Sequence, residues 1–210
     1  MPFALNCFWE IRVEYITMSE SDLEKVLFTK DDIDEIVTRV AKEIDDVYYT
    51  TITQSQEKKR LVLIGILKGS YVFLSDLSRK LNTPHVIEFM SVKSYSDTKS
   101  TGTVQILTDL RDSITNDHAI VVEDILDTGL TLNYLLKLIG EKNPESLEVC
   151  TLLRKPTQAK VQVHVKFLGV DIDPEFVIGY GLDYNEYFRN LDCIGVPTNQ
   201  TIENYSLSKR

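Results

Sequence analysis

Two segments of this chain share one pattern, which narrows the possible folds more than any other feature. Leu61-Val62-Leu63-Ile64 is an unbroken apolar run that ends at Gly65 to Ser70 and passes into an amphipathic stretch. Ala119-Ile120-Val121-Val122 likewise runs into Glu123 to Gly129, then into a stretch carrying Leu132, Leu135, Leu136 and Ile139 on one side. A short apolar run without polar alternation marks a strand covered on both faces, and spacing near 3.6 marks a helix. Strand, tight loop and helix, repeated, predict an α/β fold with a mostly parallel twisted sheet and helices on both faces. A further strand is expected over Leu147 to Leu153, with weaker candidates at Val165 to Val170 and Phe176 to Ile178. Ile33, Ile36, Val37, Val40 and Ile44 predict an earlier helix, with Thr29, Asp31 and Asp32 supplying capping oxygens and first-turn negative charge. Pro144 is expected to end the helix that follows Gly129. The polar segment Lys93 to Gly102, between Val86 to Val92 and Val104 to Leu107, reads as a long hairpin loop.

Composition bounds the partners. With 210 residues, 43% hydrophobic and 26% charged, the chain fits one soluble globular domain, and no repeat or linker divides it. Against 32 Asp and Glu stand 23 Lys and Arg, a formal charge of -9, which disfavours a nucleic-acid surface while leaving room for a local phosphate pocket. Cys7, Cys150 and Cys193 are odd in number, widely spaced and without a CxxC pair, so neither a disulfide framework nor a zinc site is indicated and a reducing cytoplasm is expected. No run approaches the roughly 18 apolar residues of a membrane span. Glu10, Arg12 and Glu14 fall where a signal peptide would stay apolar, so export is not expected. Met18, followed by polar Ser19 to Asp22, is a candidate biological start.

In open α/β sheets the ligand sits beyond the carboxyl ends of the strands, which directs attention to the loops after Leu67, Val122 and Leu153. The second holds the most unusual string, Glu123-Asp124-Ile125-Leu126-Asp127-Thr128-Gly129-Leu130-Thr131. Thr128 to Thr131 can present backbone N–H groups and hydroxyls at a helix N-terminus, where a phosphate monoester is favoured, and Gly129 permits close approach. Carboxylates beside such a cradle suit ribose hydroxyls and a water-clad hard cation such as Mg2+. The alternative, a solvated acidic turn capping a helix, needs only one of these residue types. Lys68-Gly69 by itself reads as a plain strand-to-helix turn, and no GxxxxGK[ST] spacing makes it a P-loop.

From Ala119 to Thr131 the chain resembles, position for position, the ribose-phosphate signature of the type I phosphoribosyltransferases, and Leu67-Lys68-Gly69-Ser70 resembles that family's pyrophosphate loop with its unusual cis peptide. Leu152 to Lys155, Phe176 to Tyr180 and Leu182 to Arg189 are similar to the hypoxanthine-guanine members. The resemblance covers residues 25–195, leaving 1–24 as an N-terminal extension of unassigned role and 196–210 as a C-terminal tail. It implies a small hood over the base site, Mg2+ as cofactor and a homo-oligomer, dimer or tetramer. It also implies transfer of phosphoribose from phosphoribosyl pyrophosphate to N9 of hypoxanthine or guanine, giving IMP or GMP and pyrophosphate, the chemistry of purine salvage.

Residue by residue, the resemblance implies that Asp127 is the general base toward purine N7, a task suited to a carboxylate raised by burial and neighbouring acids. Lys68, Gly69, Glu123, Asp124, Thr128, Gly129, Leu130, Thr131 and Arg189 would bind phosphoribosyl pyrophosphate. Lys155 would donate to O6, Phe176 would stack on the base, the Val177 backbone would read the ring edge, and Asp183 would join Glu123 and Asp124 around the metal. Ser94 and Tyr95 would lie on a lid. Leu130 stands where relatives often carry Lys or Asn, and Pro156 to Ala159 lacks an arginine found in some relatives, with Lys160 nearby as a candidate replacement. A xanthine-preferring transferase is the nearest alternative. A nucleotide-sensing regulator would need a basic surface, and no basic cluster stands out.

Overall fold

The computed structural model describes residues 18–54, 58–94 and 104–206. In chain order these form β1 Leu23–Phe28, α1 Lys30–Gln54, β2 Leu61–Leu67, α2 Tyr71–Lys80, β3 His85–Ser94, β4 Val104–Thr108, β5 His118–Leu126, α3 Leu130–Gly140, β6 Ser146–Arg154, β7 Phe167–Asp171, β8 Ile194–Pro197 and α4 Asn199–Asn204. The α1 start is capped as its sequence predicts. Asp32 N donates to Thr29 Oγ1 at 3.3 Å, while Thr29 N and its hydroxyl donate to the Asp32 carboxylate at 2.9 and 2.6 Å.

Six strands make one sheet in the order β4-β3-β2-β5-β6-β7, parallel except for the antiparallel β3-β4 hairpin at the edge. Successive strand residues point to opposite faces, so an apolar run needs cover on both. Leu61 and Leu63, with Ile120 and Val122, join the cluster built with α1 and α2. Val62, Ile64 and Ile66, with Ala119 and Val121, join the cluster built with α3. At roughly 1.5–3 kcal/mol per fully buried aliphatic side chain, this two-sided burial dominates the stability of the sheet.

A second, two-stranded sheet pairs β1 with β8 antiparallel, and Ile178 bridges to Gly195. Beneath it Ile178, Phe188, Leu191 and Cys193 pack with Met18, Tyr184, Tyr187 and Tyr205, forming the core of the small hood.

The structure corrects several expectations. Phe176 to Ile178 is not a strand, because only Ile178 finds a bridging partner. Helix α3 stops at Gly140, where Glu141 and Lys142 donate back to Lys137 O and Ile139 O before the left-handed Asn143, four residues ahead of Pro144. Elements of the hood extend on either side of residues 25 and 195: β1 begins at Leu23, β8 ends at Pro197, and Thr201 of α4 donates its hydroxyl to Asp22 O at 2.9 Å. The segment before Met18, and Tyr95 with most of the loop after β3, lie outside the described residues. No helix of the described residues is long and apolar enough to cross a membrane.

Candidate active site

Strand order reverses between β2 and β5: the chain leaves β2 for β3 on one side and returns to β5 on the other. The carboxyl ends of these neighbours form the switch point where open α/β sheets bind ligands. At the end of β2 the Leu67-Lys68 peptide is cis. Ser70 is fully buried and its hydroxyl donates to Ile66 O at 2.7 Å, fixing the entry into α2. A Cβ built on Gly69 would sit 1.8 Å from Asp124 Oδ2 and 2.5 Å from its Cγ. The two loops therefore touch, and only a residue without a side chain fits between the β2 loop and the β5 carboxylate.

Glu123 and Asp124 still lie within β5 and are half-buried. Burial, then the charge of Asp124, pushes the Glu123 carboxyl well above the usual carboxylate range. Burial raises Asp124 to about 6, against the opposing pull of backbone N–H groups and Arg189. Asp127 corrects an expectation: its side chain is exposed on the loop, not buried among the other acids. Gly129 precedes α3 at φ +78, and a Cβ there would meet Val161 O at 2.4 Å. Thr128 O accepts from the backbones of Lys160 and Val161 at 3.0 and 3.1 Å, so the 160–161 segment holds this loop against the start of α3. Leu130 and Thr131 open the helix. Lys160 contributes its backbone there, while its side chain is exposed.

Lys155 follows β6, and its N–H donates to Leu126 O at 2.9 Å, tying the ends of β5 and β6 together. The residue is 8% exposed, and among the described residues its ammonium has no hydrogen-bond or ion-pair partner. Lys155 and Asp127 line one cavity of 190 Å³ with Leu126, Pro156 and Val163. Phe176 is 50% exposed, its ring edge-on to Tyr184 at 5.9 Å and 81°, while Val177 is buried. An open aromatic face offers stacking, and a lysine lining a cavity offers a donor, two features that suit a flat, carbonyl-bearing heterocycle.

The segment from Asp183 to Arg189 closes the site. Asp183 accepts from Glu186 N at 2.8 Å and pairs with Arg189 Nη2 at 2.9 Å, while Arg189 Nη1 donates to Gly181 O at 2.7 Å. Arg189 Nε is buried without a partner among the described residues. Lys68 Nζ donates to Glu186 Oε2 at 2.7 Å, which holds Glu186 below its ordinary carboxylate range. Sequence reading assigned no role to Glu186 or Tyr184. Both fell inside a recognised motif, but nothing in the motif tells which side chains turn toward Lys68 or Phe176. A larger cleft of 690 Å³ lies between α1 and α2 and reaches Arg189 and Tyr180, away from Asp127 and Lys155.

Glu123, Asp124 and Asp183 do not converge into a preformed ligand set. Among the described residues only Glu20, Asp192 and Cys193 bring three ligand atoms within 4.8 Å of one another. Hard oxygen donors near the end of β5 and at Asp183 nevertheless fit Mg2+, which keeps several waters and binds through one or two carboxylates plus substrate phosphates.

The phosphoribosyl transferase domain model matches residues 32–185. Hypoxanthine-guanine phosphoribosyltransferase from Dictyostelium discoideum is 44% identical over 175 residues, covering 81% of this chain and 93% of that protein. The Mycobacterium avium protein of the same name is 42% identical, covering 83% and 85%. A crystal structure of hypoxanthine phosphoribosyltransferase from Staphylococcus aureus superposes with a TM-score of 0.80 at 42% identity, covering 92% of this chain and all of that one. One of the Trypanosoma cruzi enzyme gives 0.82 at 38%, covering 90% and 98%. With the switch-point loops, the buried Lys155 and the hood already in place, these matches establish that the chain belongs to the phosphoribosyltransferase family, among the hypoxanthine-guanine phosphoribosyltransferases.

Proposed function

We propose that this chain transfers the 5-phosphoribosyl group of phosphoribosyl pyrophosphate to N9 of hypoxanthine or guanine, giving IMP or GMP and pyrophosphate. The observation that supports the reading is the packing of Gly69 against Asp124, which brings the β2 loop against the string from Glu123 to Thr131.

Thr128, Gly129, Leu130 and Thr131 receive the 5-phosphate at the α3 start, where backbone N–H groups and the helix dipole favour an anion. Glu123 and Asp124 accept ribose hydroxyl protons. Lys68, Arg189 and the Gly69 backbone stabilise departing pyrophosphate by charge already in position. Asp127, exposed at the mouth of the cavity it shares with Lys155, takes the N7 proton as N9 attacks. Lys155 donates to O6, Phe176 stacks and the Val177 backbone reads the ring edge. Adenine would leave the buried ammonium facing an amino group, so it is rejected. Asp183, with Glu123 and Asp124 through water, would hold Mg2+, which offsets charge building on the leaving group. The resemblance assigns Ser94, at the end of β3, and Tyr95 to a lid that would exclude water. A homo-oligomer belongs to the same proposal on the resemblance alone, and a cytoplasmic setting is supported by widely spaced cysteines of which Cys150 and Cys193 are buried and free.

The test is turnover with Mg2+ and phosphoribosyl pyrophosphate against hypoxanthine, guanine, xanthine, adenine and orotate, with nucleotide and pyrophosphate quantified by chromatography. Turnover confined to hypoxanthine and guanine supports the reading. Preferential use of xanthine would transfer the chain to the other 6-oxopurine specificity, and turnover with none of the bases would overturn the assignment.

A further inference from the structure

Tyr184 and Tyr187 exchange backbone hydrogen bonds, N to O at 3.2 and 3.0 Å, closing a two-residue turn whose central residues Asn185 and Glu186 have φ of +51 and +73. Two successive positive φ values define the turn in which Asn-Gly is the favoured pair, so Glu186 occupies a position where backbone preference asks for glycine. Neighbouring contacts hold it there: Asp183 Oδ2 accepts from Glu186 N at 2.8 Å, and Asn185 Nδ2 donates to Tyr205 O at 2.9 Å. A left-handed residue enforced by its surroundings is where a side chain's placement is worth asking about.

The turn aims one oxygen, Glu186 Oε2, at two cations. Lys68 Nζ lies 2.7 Å from it and Arg189 Nη2 lies 3.5 Å from it. These are the two cationic side chains assigned above to pyrophosphate. Lys68 and Glu186 are 64% and 62% exposed, so the pair is open to water and exchangeable.

We propose that Glu186 is an internal counter-anion of the pyrophosphate site, a positioning residue that occupies Lys68 and Arg189 when the site is free and that pyrophosphate must displace. The inference rests on the assignment of Lys68 and Arg189 to pyrophosphate. A competitor tethered to the protein raises the apparent dissociation constant by the fraction of time it holds the cations, and it returns to them as product leaves. It therefore weakens binding of both phosphoribosyl pyrophosphate and pyrophosphate and hastens release, a step that limits turnover in many transferring enzymes. A Glu186 that only braced the turn would have the opposite signature, since its loss would disorder the cations and weaken pyrophosphate binding.

The experiment is calorimetric titration of the full chain with pyrophosphate in the presence of Mg2+, for the wild type, Glu186→Gln, Glu186→Asp, Lys68→Ala and the Lys68→Ala/Glu186→Gln double variant, with steady-state kcat and KM for phosphoribosyl pyrophosphate alongside. An exposed pair of this kind predicts roughly two- to fivefold tighter pyrophosphate for Glu186→Gln. Glu186→Asp, which keeps the charge but is one methylene short of Lys68, should also bind more tightly, with KM falling in both variants. In the Lys68→Ala background Glu186→Gln should gain less. Equal or weaker binding in Glu186→Gln and Glu186→Asp overturns the inference. Tighter binding in Glu186→Gln alone also overturns it, because that is the effect of net charge and not of exchange. If Lys68→Ala leaves pyrophosphate affinity unchanged, it is the assignment of Lys68 that fails instead.

Discussion

Lys155 as a residue is 8% exposed and its ammonium has no partner among the described residues, an arrangement that costs stability in the free protein and supplies a donor to whatever fills the cavity. Lys155→Met is accordingly expected to leave the melting temperature unchanged or raise it, while kcat/KM for hypoxanthine falls by about 1.5–3 kcal/mol, the range for hydrogen bonds to charged groups. Steady-state kinetics beside thermal unfolding measures both, and loss of stability in parallel with activity would refute the unpaired reading. Gly69 offers a second residue-scale test. Its missing Cβ is the space that Asp124 occupies, so Gly69→Ala should displace the carboxylate and lower kcat/KM by about 10²-fold, the usual scale for misplacement near 1 Å, in a protein that still folds. Lys155 and Gly69 could both be picked out in the sequence because motifs carried them. The exposure of Asp127 could not, since burial depends on how the 160–163 segment crosses the loop, not on the acids beside it.

At the scale of elements, α1 is tied to the turn after α2 by one carboxylate. Asp45 accepts from the Asn82 and Thr83 backbones and from both of their side chains, its shortest contact being 2.6 Å to Thr83 Oγ1. Burial would raise its pKa, but these bonds together outweigh it and leave the group below its ordinary value. A carboxyl depressed in the folded state contributes stability that is present above its unfolded pKa, about 3.9, and is lost as pH falls through the folded value. Asp45→Asn is therefore expected to cost about 1–3 kcal/mol at neutral pH, and its deficit in melting temperature should shrink once the pH drops below about 4. A deficit that stays constant down to pH 2.5 would exclude the carboxylate as the cause. The α4 end makes a similar attachment. The Tyr205 ring lies 4.7 Å from Phe188 and 4.9 Å from Tyr187, and its carbonyl receives the Asn185 amide. Tyr205→Ala should thus loosen the Asp183 to Arg189 turn and raise KM for phosphoribosyl pyrophosphate more than it lowers kcat; an unchanged KM would separate α4 from the site. Periodicity revealed α1, whereas α4 has six residues and too little pattern to register.

For the whole molecule, hood residues Leu27, Phe28, Ile194 and Val196 pack into the same core as α1, α2 and the sheet, so ligand binding should stabilise the entire fold. With Mg2+ and phosphoribosyl pyrophosphate together at about 100 times the dissociation constant, linkage gives about 2.7 kcal/mol, or about 5–11 °C in melting temperature for a chain of this size. Either component alone, or both with excess chelator, should give much less, because the described acids do not form a closed ligand set without substrate oxygens. An equal shift without metal would remove Mg2+ from the proposal. The sequence by itself determined what depends on near neighbours: the two strand-loop-helix units, whose unbroken apolar runs require cover on both faces, and the chemistry of the string from Glu123 to Thr131. Only the tertiary structure decided the pairings made across long stretches of chain. Leu23–Phe28 finds Ile194–Pro197, Gly69 leaves its space to Asp124, and the Asn185-Glu186 turn carries a carboxylate to Lys68. Each of these is fixed by packing between segments far apart in sequence, and a run of residues holds no record of which distant surface it will meet.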